Sequence, residues 1–191
     1  MFLWRIAPRL DIGRFILHPY CVTNEDRPNA DRPAGERGVN WAIRARILAA
    51  RPQELGIDPA TISDTGSIWG VVMETAYFAG VVTLIALANG TAFLLFSNGG
   101  GVEGTTDHHQ VRDAARRLVS KAGDHAAGAT ASESCPYPRV GRTRFYLLAT
   151  TGVRVLEAAE DELESTVHEL SSLFLAGHDV ITQLRHIAQS A

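Results

Sequence analysis

A long stretch without charge is the feature that most constrains how this chain folds. The 28 residues between Glu74 and Glu103 include no charged side chain. A membrane helix needs about 20 consecutive apolar residues, but Asn89-Gly90 interrupts this stretch in its middle. Asn-Gly between two runs rich in β-formers is a strong signal for a hairpin. The stretch therefore predicts buried strands, and we expect no membrane insertion through it.

Three apolar runs in this region predict a meander of strands, at Ile68 to Thr75, Val81 to Leu87 and Ala92 to Ser97. The runs are apolar at nearly every position instead of alternating, so we expect both faces of the sheet to be covered. Helices on one side and a helix or a dimer partner on the other would cover them. A second hairpin is predicted from strands at 142–150 and 153–159.

Helices are predicted before, between and after these strands. Asn40 is in position to cap the first helix, and Thr106 or Asp107 to cap the second. The last helix is predicted to start near Ser171 or Ser172. The second helix has apolar residues at the spacing of one helical face, namely Val111, Ala114, Ala115, Leu118, Val119 and Ala122.

These elements together predict an α/β fold of the α+β type. Its sheet is expected to have five mainly antiparallel strands, formed by a three-strand meander, a helix and a hairpin, with helices at its sides. We expect one domain at 40–191, with a flexible loop at 123–141 where small and polar residues accompany two prolines. Residues 1–39 are expected to form an irregular N-terminal arm, disordered or docked on the body or on a partner. A mis-assigned upstream start codon would equally explain the arm.

Charge and cysteine content exclude several function classes. The net charge is -3, so the chain lacks an overall field that would attract nucleic acid. Cys21 and Cys135 have no zinc-site spacing and read as free thiols, and the N-terminus has no secretory signal, so a cytoplasmic location is expected. The charge is nevertheless uneven, because the first quarter contains Arg5, Arg9, Arg14, Arg27, Arg32, Arg37, Arg44, Arg46 and Arg51.

A glycine-rich segment between the third strand and the second helix is the best candidate for a ligand site. Backbone amides freed by glycine, next to the positive end of a helix, form an anion site. The predicted phosphate- or nucleotide-binding residues are Asn98, Gly99, Gly100, Gly101, Gly104, Thr105 and Thr106. The segment lacks the Lys-Ser/Thr of a P-loop. A tight turn that needs positive φ angles, or a close contact between helix and sheet, explains the same glycines.

Metal binding and catalysis have weaker signals. His108 and His109 are candidate metal ligands, but adjacent helical residues point about 100° apart, so a third ligand would be required, either Glu103 or a remote His168 or His178. A polar helix start explains the same residues. We expect no resident cofactor, and no nucleophile stands in a catalytic motif.

Two surface features allow a partner to bind. Trp69, Tyr77 and Phe78 near the first turn form either an exposed aromatic contact or the packed edge of the sheet. The acidic run near the end of the second hairpin would attract a cation or a basic partner, or else be a solvated strand end. It comprises Glu157, Glu160, Asp161, Glu162 and Glu164.

The order of elements over 40–191 resembles the profilin-like architecture of roadblock and longin domains. That resemblance implies small GTPases as candidate partners. Separately, four segments look like a family of uncharacterised bacterial proteins, which implies no activity. They are Trp69 to Thr75, Phe96 to Gly101, Gly141 to Tyr146 and Val180 to Arg185.

The leading functional hypothesis is a non-catalytic interaction or scaffold domain that forms a homodimer through a helix or a sheet edge. The alternative is a phosphate-binding protein or enzyme that uses the glycine-rich loop at 98–104. A third hypothesis is association with a membrane surface through the aromatic and arginine residues of the N-terminal arm.

Overall fold

The computed structural model describes residues 34–58, 60, 62, 67–105, 107–165 and 167–190. Its helices are α1 (Ala34–Ala49), α2 (His109–Asp124), α3 (Glu160–Glu164) and α4 (Ser171–Ser190), with short 3-10 helices at Pro52–Leu55 and Ala126–Gly128. Its strands are β1 (Ile68–Tyr77), β2 (Gly80–Leu87), β3 (Ala92–Phe96), β4 (Gly101–Gly104), β5 (Thr130–Ala131), β6 (Arg142–Ala149) and β7 (Gly152–Ala159). The predicted α/β class with an antiparallel sheet is confirmed.

The sheet has seven strands in the order β4-β3-β2-β1-β6-β7-β5, and each pairing is antiparallel. The prediction of five strands is therefore wrong. The two additional strands are the short ones at the edges, β4 and β5, with four and two residues. Each has a single β-branched residue, Val102 in β4 and Thr130 in β5, which is too few to mark a strand in sequence. Both form because they pair with a neighbouring strand that is itself part of the core.

One face of the sheet is covered by α2 and α4. All six apolar positions predicted for the second helix are buried in α2, which confirms that face. Gly177 allows α4 to lie close to the sheet, since a Cβ atom there would be 2.6 Å from the Sδ atom of Met73. The α2/α4 face is therefore closed by two helices in contact with β1.

The start of α2 differs from the prediction. The helix begins at His109, and His108 occupies the N-cap without a side-chain capping hydrogen bond. Asp107 precedes the helix in a turn, and Thr106 lies outside the described residues. The N-cap is thus His108 and not the predicted Thr106 or Asp107.

The opposite face of the sheet is covered by α1, and α1 also differs from the prediction. Side chains alternate between faces along a strand, so Glu74, which binds Arg44 of α1, points away from Met73. The helix begins at Ala34, so residues 34–39 of the predicted arm are helical. Asn40 is therefore inside the helix and is not its cap. The rest of the predicted arm, residues 1–33, lies outside the described residues.

The segment predicted as a flexible loop, 123–141, contains the end of α2, a 3-10 helix and β5. Beyond β5 it crosses the α1 face of the sheet, where Cys135 and Pro138 are buried. These contacts hold the segment against the sheet in the structure, and its mobility stays a prediction. In the described ranges, no helix combines the length and apolarity needed to cross a bilayer.

Candidate functional site

The glycine-rich segment forms a hairpin turn followed by the edge strand β4. Gly99 and Gly100 have φ angles of 101° and 77°, a conformation that glycine adopts without steric cost. The N–H of Gly99 donates to the carbonyl oxygen of Phe96 at 3.0 Å, and the N–H of Phe96 donates to that of Gly100 at 3.2 Å. The turn is therefore closed by its own backbone hydrogen bonds.

The two glycines of β4 are required by close packing. A Cβ atom on Gly101 would lie 2.6 Å from the carbonyl oxygen of Leu94 on β3. A Cβ atom on Gly104 would lie 2.5 Å from Cγ1 of Val111 on α2 and 2.8 Å from Cδ2 of Leu184 on α4. β4 therefore has no room for a larger side chain at Gly104, which lies under both helices, or at Gly101, which lies against β3.

The turn and the helix N-terminus do not come together as one anion site. The turn at 97–100 precedes β4, whereas α2 begins at His109, beyond the other end of that strand. Four residues of strand separate the two by about 13 Å. Asn98 and Thr105 are exposed, and the Thr105 hydroxyl lies 3.3 Å from Nδ1 of His108. Phosphate binding by this segment stays a prediction, now limited to the turn by itself.

The candidate metal ligands occupy separate positions. Glu103 lies in β4, while His108 and His109 are exposed at the start of α2. Nδ1 of His168 accepts the N–H of Leu170, and the ring of His178 packs against Phe174 with centroids 4.3 Å apart; both stand apart from the start of α2. Within the described ranges, no three His, Cys, Asp or Glu residues are grouped to hold a metal ion.

Asn40 anchors the glycine turn to α1. Its Nδ2 group donates to the carbonyl oxygens of Phe96 at 2.9 Å and Gly100 at 2.7 Å. The amide therefore uses both of its N–H donors on the same turn. This explains why an asparagine stands inside a helix, where it has a poor intrinsic propensity.

We expect Asn40→Asp to destabilise the protein more than Asn40→Ala. Alanine leaves the two carbonyl oxygens without this donor, at a cost of about 1–2 kcal/mol, whereas aspartate also places a negative charge against them. Urea denaturation of both variants measures the difference, with Gln189→Ala on the exposed end of α4 as a control. An aspartate variant as stable as the wild type would contradict the anchoring role.

A buried ion pair on the α1 face is the main feature that the sequence analysis missed. Nε of Arg44 donates to Oε1 of Glu74 at 2.6 Å and Nη2 donates to Oε2 at 2.8 Å. The side chains are 3% and 0% exposed. Nη2 of Arg44 also donates to the carbonyl oxygen of Cys135, and the hydroxyl of Thr83 donates to Glu74. The pair is thus bidentate and joins α1, β1, β2 and the 132–138 segment.

The aromatic surroundings of this pair reinforce it. The guanidinium carbon of Arg44 lies 4.1 Å from the centre of the Tyr137 ring and 6.0 Å from that of Tyr146, within the range of a cation–π contact. Burial by itself lowers the pKa of Arg44, but the hydrogen bonds and charge of Glu74 outweigh it and raise the pKa above its ordinary value. Arg44 therefore stays charged at any pH at which the protein is folded.

A second charged cluster lies in an open groove of about 330 Å³ beside β6 and β7. Nε of Arg142 donates to Glu157 at 2.9 Å, and Arg144 also binds Glu157. Nη1 of Arg144 donates to the carbonyl oxygen of Pro136 at 2.8 Å, and the hydroxyl of Tyr146 donates to the same oxygen. The charged groups of the groove are therefore bound to one another.

Large apolar side chains are exposed at one corner of the fold, where β1 turns into β2. Phe78 is completely exposed, at 100%, and Tyr77 beside it is exposed as well, whereas Trp69 is buried. The N–H of Gly141 donates to the carbonyl oxygen of Ala76 at 2.9 Å. The exposed residue Val140 is thereby placed next to the end of β1.

The short helix α3, which has four carboxylates within five residues, meets the same corner through Glu160. The hydroxyl of Tyr77 donates to Oε1 of Glu160 at 2.6 Å. Burial of the hydroxyl raises the pKa of Tyr77, and this hydrogen bond raises it further. Burial lowers the pKa of His178 on α4, while the charges of Glu160 and Glu164 oppose that shift. Leu175 is exposed one helical turn before His178. We call Tyr77, Phe78, Val140 and Leu175, together with α3, the aromatic corner.

Comparisons with known proteins give no family for this chain. No protein-family model matches it, and neither curated proteins nor solved structures gave a match. The resemblances to roadblock and longin domains and to a family of uncharacterised bacterial proteins therefore stay predictions.

Proposed function

We propose that this chain is a non-catalytic interaction domain that associates with a second copy of itself through the edge of β4, which pairs with no further strand among the described residues. The observation that carries the proposal is the hydrogen-bond register of β3 and β4. Phe96 bonds to Gly100 across the turn, so the next bonded pair is Leu94 with Val102. The N–H and C=O groups of Gly101 and Glu103 consequently point away from the sheet.

An outward row of backbone donors and acceptors is a template for another strand. Two copies related by a twofold axis would pair β4 with β4 in the antiparallel sense, which continues both sheets. The edge at the other side of the sheet is formed by β5, which has only two residues. The β4 edge is four residues long, twice the length of β5.

The pairing of the charged groups supports a role other than catalysis. The Arg44 and Glu74 groups and the cluster around Glu157 are bound to one another. Groups held in this way stabilise the fold and are poorly placed to transfer protons to a substrate. The homodimer would then act as a scaffold or regulator, and small GTPases remain the partner class that the roadblock resemblance implies.

We expect Glu103→Pro to abolish self-association while Glu103→Thr preserves it. Proline at this position removes only the outward N–H of β4 and is tolerated at an edge. Threonine removes the same charge but keeps the donor. Sedimentation velocity of the full chain over a range of concentrations measures the dimer fraction of each variant.

Two results would contradict the proposal. One is a wild-type chain that is strictly monomeric at high micromolar concentration. The other is a proline variant that associates as strongly as the threonine variant, because the edge of β4 would then not be the interface.

A further inference from the structure

The aromatic corner exposes a combination of side chains that a protein surface seldom leaves uncovered. Phe78 is completely exposed, and Tyr77, Val140 and Leu175 add apolar surface around it. Clustered apolar surface of this kind marks a binding site more often than isolated apolar residues do. We propose that residues 1–20 of the same chain dock on the aromatic corner.

Charge complementarity is the first argument for this occupant. Helix α3 has four carboxylates within five residues, and the charges of Glu160 and Glu164 act on Tyr77 of the corner. Residues 1–20 contain three arginines, Arg5, Arg9 and Arg14, against one aspartate, Asp11. The same twenty residues are rich in large apolar side chains, namely Phe2, Leu3, Trp4, Ile6, Leu10, Ile12, Phe15, Ile16, Leu17 and Tyr20. The segment therefore offers positive charge to complement the α3 carboxylates and apolar side chains to cover the exposed apolar surface of the corner.

The position of α1 gives the second argument. Asn40 binds the turn between β3 and β4. That turn lies beside the start of β2, because the N–H of Ser97 donates to the carbonyl oxygen of Val81 and the N–H of Val81 donates to the Ser97 hydroxyl. The β1–β2 turn with Phe78 is therefore at the end of the sheet where α1 begins. Residues 21–33 separate Ala34 from the segment and span up to about 40 Å when extended, so residues 1–20 reach the corner.

Docking within one chain is favoured over docking between two copies. A tether of this length gives an effective concentration near the millimolar range, which exceeds the concentration of a second copy. Two aromatic corners facing each other would also bring their α3 carboxylates together, and like charges at an interface are unfavourable. The inference does not depend on pairing of β4, which lies at an edge of the sheet.

Tryptic cleavage of the full chain at Arg14 tests the inference. Trypsin cuts after Arg5, Arg9 and Arg14, but Arg27 and Arg32 are each followed by proline and are poor sites. The rate at which mass spectrometry detects the loss of residues 1–14 therefore reports how accessible the segment is. Proteolysis follows the population of the undocked form when docking is fast.

We expect the segment to be cleaved about tenfold faster in Phe78→Ser and in Phe78→Ser/Leu175→Ser than in the wild type. Phe78 is fully exposed, so its replacement leaves the fold intact, and circular dichroism confirms this for each variant. Asp161→Asn/Glu164→Gln, which removes two charges from α3, should accelerate cleavage by a smaller factor. The matched pair Asp107→Asn/Asp124→Asn, at the ends of α2, should cleave at the wild-type rate.

Two outcomes would overturn the inference. Equal cleavage rates in the wild type and in Phe78→Ser would show that the segment does not use the corner. A wild-type rate that falls as protein concentration rises, with no protection at high dilution, would assign the contact to a second copy. Sedimentation of the Glu103 variants addresses β4 pairing, so the two proposals fail separately.

Discussion

Arg44→Met is expected to lower the free energy of unfolding by about 3–5 kcal/mol, because it leaves the buried carboxylate of Glu74 without its counter-charge. The midpoint of thermal unfolding should fall by about 6–20 °C for a domain of this size. Glu74 is 0% exposed and accepts three hydrogen bonds, two from Arg44 and one from Thr83. Water therefore cannot replace the guanidinium without opening the α1 face.

Removing both charges should cost less than removing one. In Arg44→Met/Glu74→Leu no charge is left buried, although the carbonyl oxygen of Cys135 still loses a donor. Thermal and urea unfolding of the two single variants and the double variant give the coupling energy of the pair. Additive losses in the double variant would show that the pair is not coupled.

The exposed ion pair between α2 and α4 is the control for this experiment. Nη2 of Arg117 donates to Oδ2 of Asp179 at 2.8 Å, with side chains 63% and 42% exposed. Arg117→Met should cost less than about 1 kcal/mol. The contrast isolates burial as the cause, because the two ion pairs have similar distances.

Gly104→Val is expected to destabilise the protein by about 3 kcal/mol, the upper end of the range for overpacked cores. The added Cβ atom would overlap Val111 of α2 and Leu184 of α4, and the two further methyl groups have no free volume beside it. Gly104→Ala should give a smaller loss, since only the Cβ atom has to be accommodated. Differential scanning calorimetry of the three proteins measures the series.

A glycine in open space serves as the matched control. A Cβ atom on Gly128 would meet nothing within 4 Å, so Gly128→Ala should change stability by less than about 0.5 kcal/mol. If Gly104→Val proved as stable as this control, the contact of both helices with β4 would be disproved.

The central strands were predictable because their apolar runs are long and bounded by turn residues. β1, β2, β3, β6 and β7 all occur where the pattern predicted strands. β4 and β5 were not predictable, since backbone pairing with a neighbouring strand produces them without a side-chain pattern. The sequence of β4 resembles a loop because packing under two helices demands glycine.

The helices likewise include features that the sequence predicts and features that it does not. The apolar face of α2 follows the helical period and was predicted residue by residue. The start of α1 was missed, because Asn40 has the residue type of a cap but binds a turn that is distant in sequence. A side chain with two possible partners cannot be assigned from local sequence.

The glycine-rich segment predicts a ligand site because its composition suits a phosphate-binding loop, but the same composition suits a crowded strand. The buried ion pair was overlooked although a signal existed. Glu74 is a single carboxylate inside an otherwise apolar strand, and a buried carboxylate needs a cation. What the sequence could not supply is which of the arginines is its partner, since that depends on how α1 crosses the sheet.

The order of strands in the sheet has a consequence for how the chain assembles. β1 to β4 are connected by tight turns and pair with their sequence neighbours, as β6 and β7 do. Within the described strands, the two groups meet at the pairing of β1 with β6, where the Thr75 hydroxyl bonds to that of Thr143, 68 residues away. Closing the long loop between these two residues costs conformational entropy before the contacts between β1 and β6 can stabilise the sheet. We therefore expect pairing of the β6–β7 hairpin with β1 to form more slowly than the pairings between sequence neighbours.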